Sequence, residues 1–185
     1  MVKDHKMLAP GFLIAMPQLG DSNFYRSVIL MLEHGEMGSM GIVVNRLAPL
    51  KLGELAKGQD LSIARRHQDD QVFIGGPVEP HRGFVLHDCA TIAEKHDVIE
   101  GLYLSITLDA LRPLLENADC KLRFYLGYAG WGPKQLEKEI SAGAWLFSEA
   151  HARPTLEGEP HQLWGSTLRQ MGVDPAMLVP AVGIQ

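Results

Sequence analysis

Residues 121–143, KLRFYLGYAGWGPKQLEKEISAG, constrain the fold more than any other stretch of this chain. Leu122, Phe124 and Leu126 alternate with Arg123 and Tyr125, the period of a half-buried strand. Gly127, Gly130 and Gly132 then predict a sharp turn at positions where a side chain would not fit. Pro133 is predicted as the first residue of a helix, where its missing N–H has no intrahelical partner to lose. Leu136 and Ile140, four apart, mark the buried face of that helix, and Lys134, Glu137, Lys138 and Glu139 its wet face.

The remaining pattern is rich in short apolar runs. Strands are predicted over 12–16, 27–33, 41–45, 72–74, 83–87, 102–106 and 144–147, and 27–45 reads as a hairpin. Residues 51–57 carry Leu52, Leu55 and Ala56 at helical spacing, and 60–70 reads as a helix or loop. Thr107 is placed to cap a helix running to 115, with Pro113 kinking it or delaying its start. Residues 150–160 hold Pro154, Gly158 and Pro160 and read as a loop. A helix over 161–171 closes at Gly172, and Asp174 caps one more turn. Strands in runs with helices late and on connections predict an α+β fold with a mixed, largely antiparallel sheet. At 185 residues the chain fits a single domain, 1–185.

Charge narrows the function classes. The formal net charge is -5, which argues against a general electrostatic grip on nucleic acid or on anionic lipid. The two cysteines, Cys89 and Cys120, are too few for a disulfide framework, and a reducing compartment is the economical expectation. Pro10 and Gly11 interrupt the apolar run after Lys3 and Lys6, and no small-x-small cleavage site follows, so a first strand fits better than a leader. No run reaches the length of a membrane span. These features predict a cytoplasmic protein.

No catalytic constellation emerges from spacing. Residues 127–132 spell G-x-x-x-x-G between a strand and a helix, a candidate anion site. A phosphate-binding loop would continue with Lys and then Ser or Thr, whereas Pro133 intervenes and Gln135 replaces the hydroxyl. Gly75-Gly76-Pro77 reads as a second turn at a strand end, placed to line the same cleft. His81 and His87 would share one face of an extended strand, but without CxxC or HExxH they make no zinc site. His87 beside Cys89 is no better as a nucleophile pair. The end of the chain, tested as a helix-turn-helix, has too short a second helix and no Arg or Lys on it to reach bases.

Three segments resemble the YqgE/AlgH family of bacterial proteins: 23–46 (NFYRSVILMLEHGEMGSMGIVVNR), 73–87 (FIGGPVEPHRGFVLH) and 124–140 (FYLGYAGWGPKQLEKEI), and a tail around Leu163-Trp164 and 168–178 (LRQMGVDPAML) is similar as well. Lys134 stands where the family usually has a small residue, and the proline after the Asn-Arg pair is displaced to Pro49. The resemblance implies a compact α+β domain with a bent, barrel-like sheet flanked by helices. It brings no catalytic residues, metal or cofactor, and some members carry a transcriptional-regulator label. By motif, the polar candidates for ligand or partner binding are His34, Asn45, Arg46, Arg82 and His87, with Gly130, Trp131 and Gly132 from the glycine stretch. The expected function is a non-enzymatic regulatory or binding module with a protein partner or small anionic ligand. The alternative is an anion-binding sensor or enzyme with its site at the 127–134 turn.

Overall fold

The computed structural model describes residues 8–178. Ten strands form one open sheet: β1 (Gly11–Ala15), β2 (Val28–Gly35), β3 (Gly38–Val43), β4 (Leu47–Lys51), β5 (Gln71–Ile74), β6 (Val78–His87), β7 (His96–Ile99), β8 (Leu102–Ser105), β9 (Leu122–Trp131) and β10 (Trp145–Ser148). The order is β10-β1-β2-β3-β9-β6-β8-β7, with β4 and β5 attached through β9. Every pairing is antiparallel except that of β5 with β9. The fold is therefore α+β with a mixed, largely antiparallel sheet. Its two ends, β10 and β7, do not meet, so the sheet is not closed into a barrel.

Alternation along the strands explains how one sheet serves three cores. Phe12, Ile14, Val28, Leu30 and Ile42 face one side, and Leu13, Ala15, Ile29, Met31 and Val43 the other. Helices α4 (Ala152–Glu157) and α5 (Pro160–Gln170) cover the first side with Leu156, Leu163, Trp164 and Leu168. The second side is shared. Helices α1 (Leu52–Gly58) and α2 (Leu108–Glu116) pack on Val72, Val85, Leu122 and Phe124. Helix α3 (Gln135–Ser141) inserts Leu136 beside Trp131 and Trp145.

β9 is the strand on which this arrangement turns, and it is buried on both faces. Tyr125 is fully buried in the first core and Phe124 in the second. β6 runs beside it on one side, while β5 and then β3 take the other. The stretch from Gly127 onward is not a turn: the strand continues to Trp131. Its glycine serves close approach instead. Gly127 has φ +74°, and a Cβ there would overlap the carbonyl oxygen of Gly76, so the connection from β5 to β6 lies directly on the strand.

Other departures have local causes. Pro133 precedes α3 rather than starting it, because Lys134, at φ +60°, is the N-cap. Helix α2 runs through Pro113, with Thr107 Oγ1 accepting from the Ala110 N–H at 3.2 Å and Leu111, Leu114 and Leu115 buried around it. Residues 150–160 contain α4, because Pro154 falls in the first helical turn, where no N–H is needed. Residues 60–70 hold only a short 3-10 turn, Arg65–His67. β4 and β7 are short and partly exposed and carry little apolar signal. A register shift between Val78 and Gly83 breaks the face shared by His81 and His87, leaving the first exposed and the second buried. Cys89 and Cys120 are joined as a disulfide, a pairing that their count alone did not suggest.

Candidate functional site

Asn45 and Arg46 follow β3, and their side chains hold the loop that enters β2. Asn45 Oδ1 accepts from the Val28 N–H at 2.8 Å, and its Nδ2 donates to the Arg26 carbonyl oxygen at 2.9 Å. Arg46 donates to the carbonyl oxygens of Asn23 and Tyr25 and to Ser27 Oγ. Burial lowers its guanidinium below the ordinary arginine value, with the Asp21 charge opposing. Between these anchors Arg26 sits at φ +51°, a left-handed conformation that a non-glycine residue keeps only when its surroundings hold it. Its guanidinium lies 5.2 Å from the ring centres of both Tyr25 and Trp164, a doubly stacked cation.

The opposite wall is helix α5. His161, Gly165 and Arg169 recur four apart and so share one face. The Arg169 guanidinium folds back over Gly165, and a Cβ there would sit 3.4 Å from its Nη1. Between the helix and the β2 entry lies a cleft of about 640 Å³, to which Arg26, Arg46 and Arg169 all contribute. Among the described residues that line it none is acidic. Among the described residues none of the three arginines forms an ion pair. Arg26 and Arg169, whose guanidinium groups have no hydrogen-bond acceptor or ion-pair partner among the described residues, can take an anion through charge-assisted hydrogen bonds, with Arg46, already donating to Asn23, Tyr25 and Ser27, adding its charge beside them.

The structure brings Asn45 and Arg46 into this cleft and places the other sequence candidates elsewhere. His34 Nδ1 lies 2.7 Å from Ser39 Oγ, and Ser39 pairs with Trp131 across β3 and β9, so these form a separate row. Trp131 is buried, packed against Phe24 and Trp145. Gly130 pairs with Met40, and Gly132 donates its N–H to Gln135 Oε1 at 3.0 Å. Arg82 pairs with Glu79 at 3.0 Å on the exposed part of β6. Arg26, Tyr25, His161 and Arg169 escaped the sequence reading. The available signal was Arg26 within the first family-like segment and the Gly165–Arg169 spacing on an amphipathic helix.

His87 is fully buried at the far end of β6. The Ser105 hydroxyl donates to the Glu94 carbonyl oxygen at 3.0 Å, so it accepts from His87 Nε2 at 2.9 Å. Nδ1 is left without a partner among the described residues. Burial pushes the imidazole from 6.5 down to about 4, Asp88 working against this and Lys95 adding to it. Between these values the unfolded chain binds the proton and the folded one does not, so stability rises with pH across the window. The contribution is fully present above pH 6.5 and is lost as pH falls through about 4, by at most about 3 kcal/mol. In urea titrations, His87→Gln is expected to lose roughly 2 kcal/mol less than the parent between pH 7 and 4.5. Equal losses would remove His87 as the cause.

The comparisons with known proteins agree with the fold. The chain is 66% identical to a UPF0301 protein of Myxococcus xanthus, over 97% of this chain and 99% of that one. It is 36% identical to a UPF0301 protein of Methylococcus capsulatus over 99% of each. The solution structure of the AlgH protein from Pseudomonas aeruginosa superposes with a TM-score of 0.74 at 33% identity, covering 100% of both chains. A crystal structure of a Corynebacterium diphtheriae protein shares the fold at a TM-score of 0.68 and 22% identity, over 88% of this chain and 86% of that one. The AlgH-like family model matches residues 12–176, and with the open three-core sheet behind it this match places the chain in the AlgH-like family.

Proposed function

We propose that the protein is a regulatory binding module whose ligand is a small, multiply charged anion held in the Arg26–Arg46–Arg169 cleft. One observation carries the reading: in a chain of net charge -5, three arginines line a single cleft in which none of the described lining residues is acidic. Buried or clustered positive charge is costly unless an opposite charge completes it. This moves the anion site from the 127–134 turn to α5 while keeping Arg46.

Thermal unfolding against inorganic phosphate and pyrophosphate tests the reading. At a hundredfold over its dissociation constant an anion stabilises by about 2.7 kcal/mol, a melting shift of roughly 5–10 °C for a domain of this size. Arg169→Glu, an exposed position, is expected to keep the unliganded melting temperature and to abolish the shift. A shift that is absent in the parent, or equal in both proteins, overturns the assignment.

A further inference from the structure

A second cavity adjoins the arginine cleft. It has a volume of about 250 Å³, and Met16, Leu19 and Phe24 line it together with Tyr25, Arg26 and Trp164. The last three residues also line the arginine cleft, so the two chambers border one another at Tyr25, Arg26 and Trp164. The two chambers differ sharply in chemistry. One presents three guanidinium groups; the other is walled mainly by aliphatic, thioether and aromatic side chains, with Asp21, Ser22 and Arg26 at its edge.

The polar side chains that line the second chamber, Asp21, Ser22 and Arg26, sit at exposed positions, and its buried wall is Ala15, Met16 and Trp164. The Trp164 indole N–H donates to the Ala15 carbonyl oxygen at 2.8 Å, turning the polar edge of the ring away from any occupant. The Asp21 carboxylate accepts from the Asn23 N–H at 2.8 Å. A nucleobase seated here would bury its hydrogen-bonding edges against few free partners, which costs binding energy. A hydrocarbon group would not. Asp21 also fixes the direction, because its charge repels an anionic head from this chamber while the arginines attract it to the other.

We propose that the ligand is an amphiphilic anion: a phosphate-like head in the arginine cleft and a short alkyl or acyl chain in the Met16–Leu19–Phe24 chamber. This rests on the anion-site reading above and names the class of molecule that the site selects. Arg26 is then a specificity-determining residue as well as a ligand to the head. Its left-handed backbone, tied by Asn45, sets the guanidinium at the junction where head meets chain.

Calorimetric titration with inorganic phosphate, octyl phosphate below its micelle concentration, and AMP tests the proposal. Each buried methylene multiplies affinity by roughly fourfold, so octyl phosphate is expected to bind more than about tenfold tighter than phosphate and tighter than AMP. Ser22 lines the second chamber and is exposed in a 3-10 turn. Ser22→Phe fills that space and is expected to abolish the octyl advantage while leaving phosphate binding intact; Ser22→Ala is expected to keep both. Phosphate and octyl phosphate binding within twofold of each other, or AMP binding tightest, overturns the amphiphile and leaves the anion site standing. Binding of none of the three overturns the anion site itself.

Discussion

Gly76→Ala is expected to cost on the order of 4 kcal/mol and to lower the melting temperature by roughly 10 °C or more. Gly76 is buried between β5 and β6, with φ +153°. A Cβ at this position would overlap the backbone of Tyr128 in β9. The atoms it meets belong to the central strand, which is held by β6 on one side and by β5 and β3 on the other. Neither side can yield without breaking a ladder, so the overlap cannot relax as it would against the end of a flexible side chain. The backbone conformation adds its own penalty for any L side chain. Domains of this kind have only about 5–15 kcal/mol of total stability, and most of the protein is expected in the insoluble fraction at 37 °C. Gly58→Ala is the control. Gly58 is exposed, and nothing lies within 4 Å of the added carbon, so its melting temperature is expected to match the parent or exceed it slightly. Equal stability of the two variants would refute the close-approach account of the glycines.

That crossing also marks where the sequence was legible and where it was not. β1 and β2 were readable because their apolar residues continue without a break on both faces, as buried strands require. The alternation over 122–126 reads as a half-buried strand because Arg123 and Tyr125 look polar. In the fold the Tyr125 ring is fully buried, and the Arg123 guanidinium lies 4.9 Å from the Phe73 ring centre while donating to the Gly158 carbonyl oxygen at 2.6 Å. Both side chains put apolar or stacking surface into the core, which a polar label conceals. Local pattern reads the glycines after them as a turn, whereas Gly127 is there because the β5–β6 connection, some 50 residues earlier, lies on the backbone of β9. No local pattern carries that information.

The candidate site divides along the same line. Asn45 and Arg46 are candidates by their match to the family motif, and they do line the cleft. Arg169 is no such candidate, because an arginine on the outer face of an amphipathic helix is ordinary in a sequence. It matters only because α5 packs Leu163, Trp164 and Leu168 against the same core as β1 and β2, which brings position 169 alongside position 26. The site is a product of tertiary packing between the two ends of the chain, so its charge count could not be read before the fold.

Glu139 bears the second large effect. Its Oε2 accepts from the indole N–H of Trp131 at 3.0 Å and from that of Trp145 at 2.8 Å, and its Oε1 accepts from Gln135 Nε2 at 2.9 Å. One carboxylate thus ties the end of β9 to β10 through helix α3, and both indoles are buried. In Glu139→Ala two buried N–H donors lose their acceptor, each costing about 1–3 kcal/mol, so the expected loss is roughly 2–6 kcal/mol. Glu139→Gln keeps an acceptor oxygen where both indoles point and is expected to lose only about 1 kcal/mol, the difference between a charged and a neutral acceptor. Urea unfolding gives both values, and near-UV circular dichroism reports the Trp131–Trp145 pair, whose rings sit 5.9 Å apart edge to face. Equal losses in the two variants would show that the carboxylate is not the pin. The expected gap between them accounts for Trp131 as a structural residue, its polar edge consumed inside the fold, and it separates that residue from the arginine cleft, where the ligand-binding reading stands on Arg26, Arg46 and Arg169.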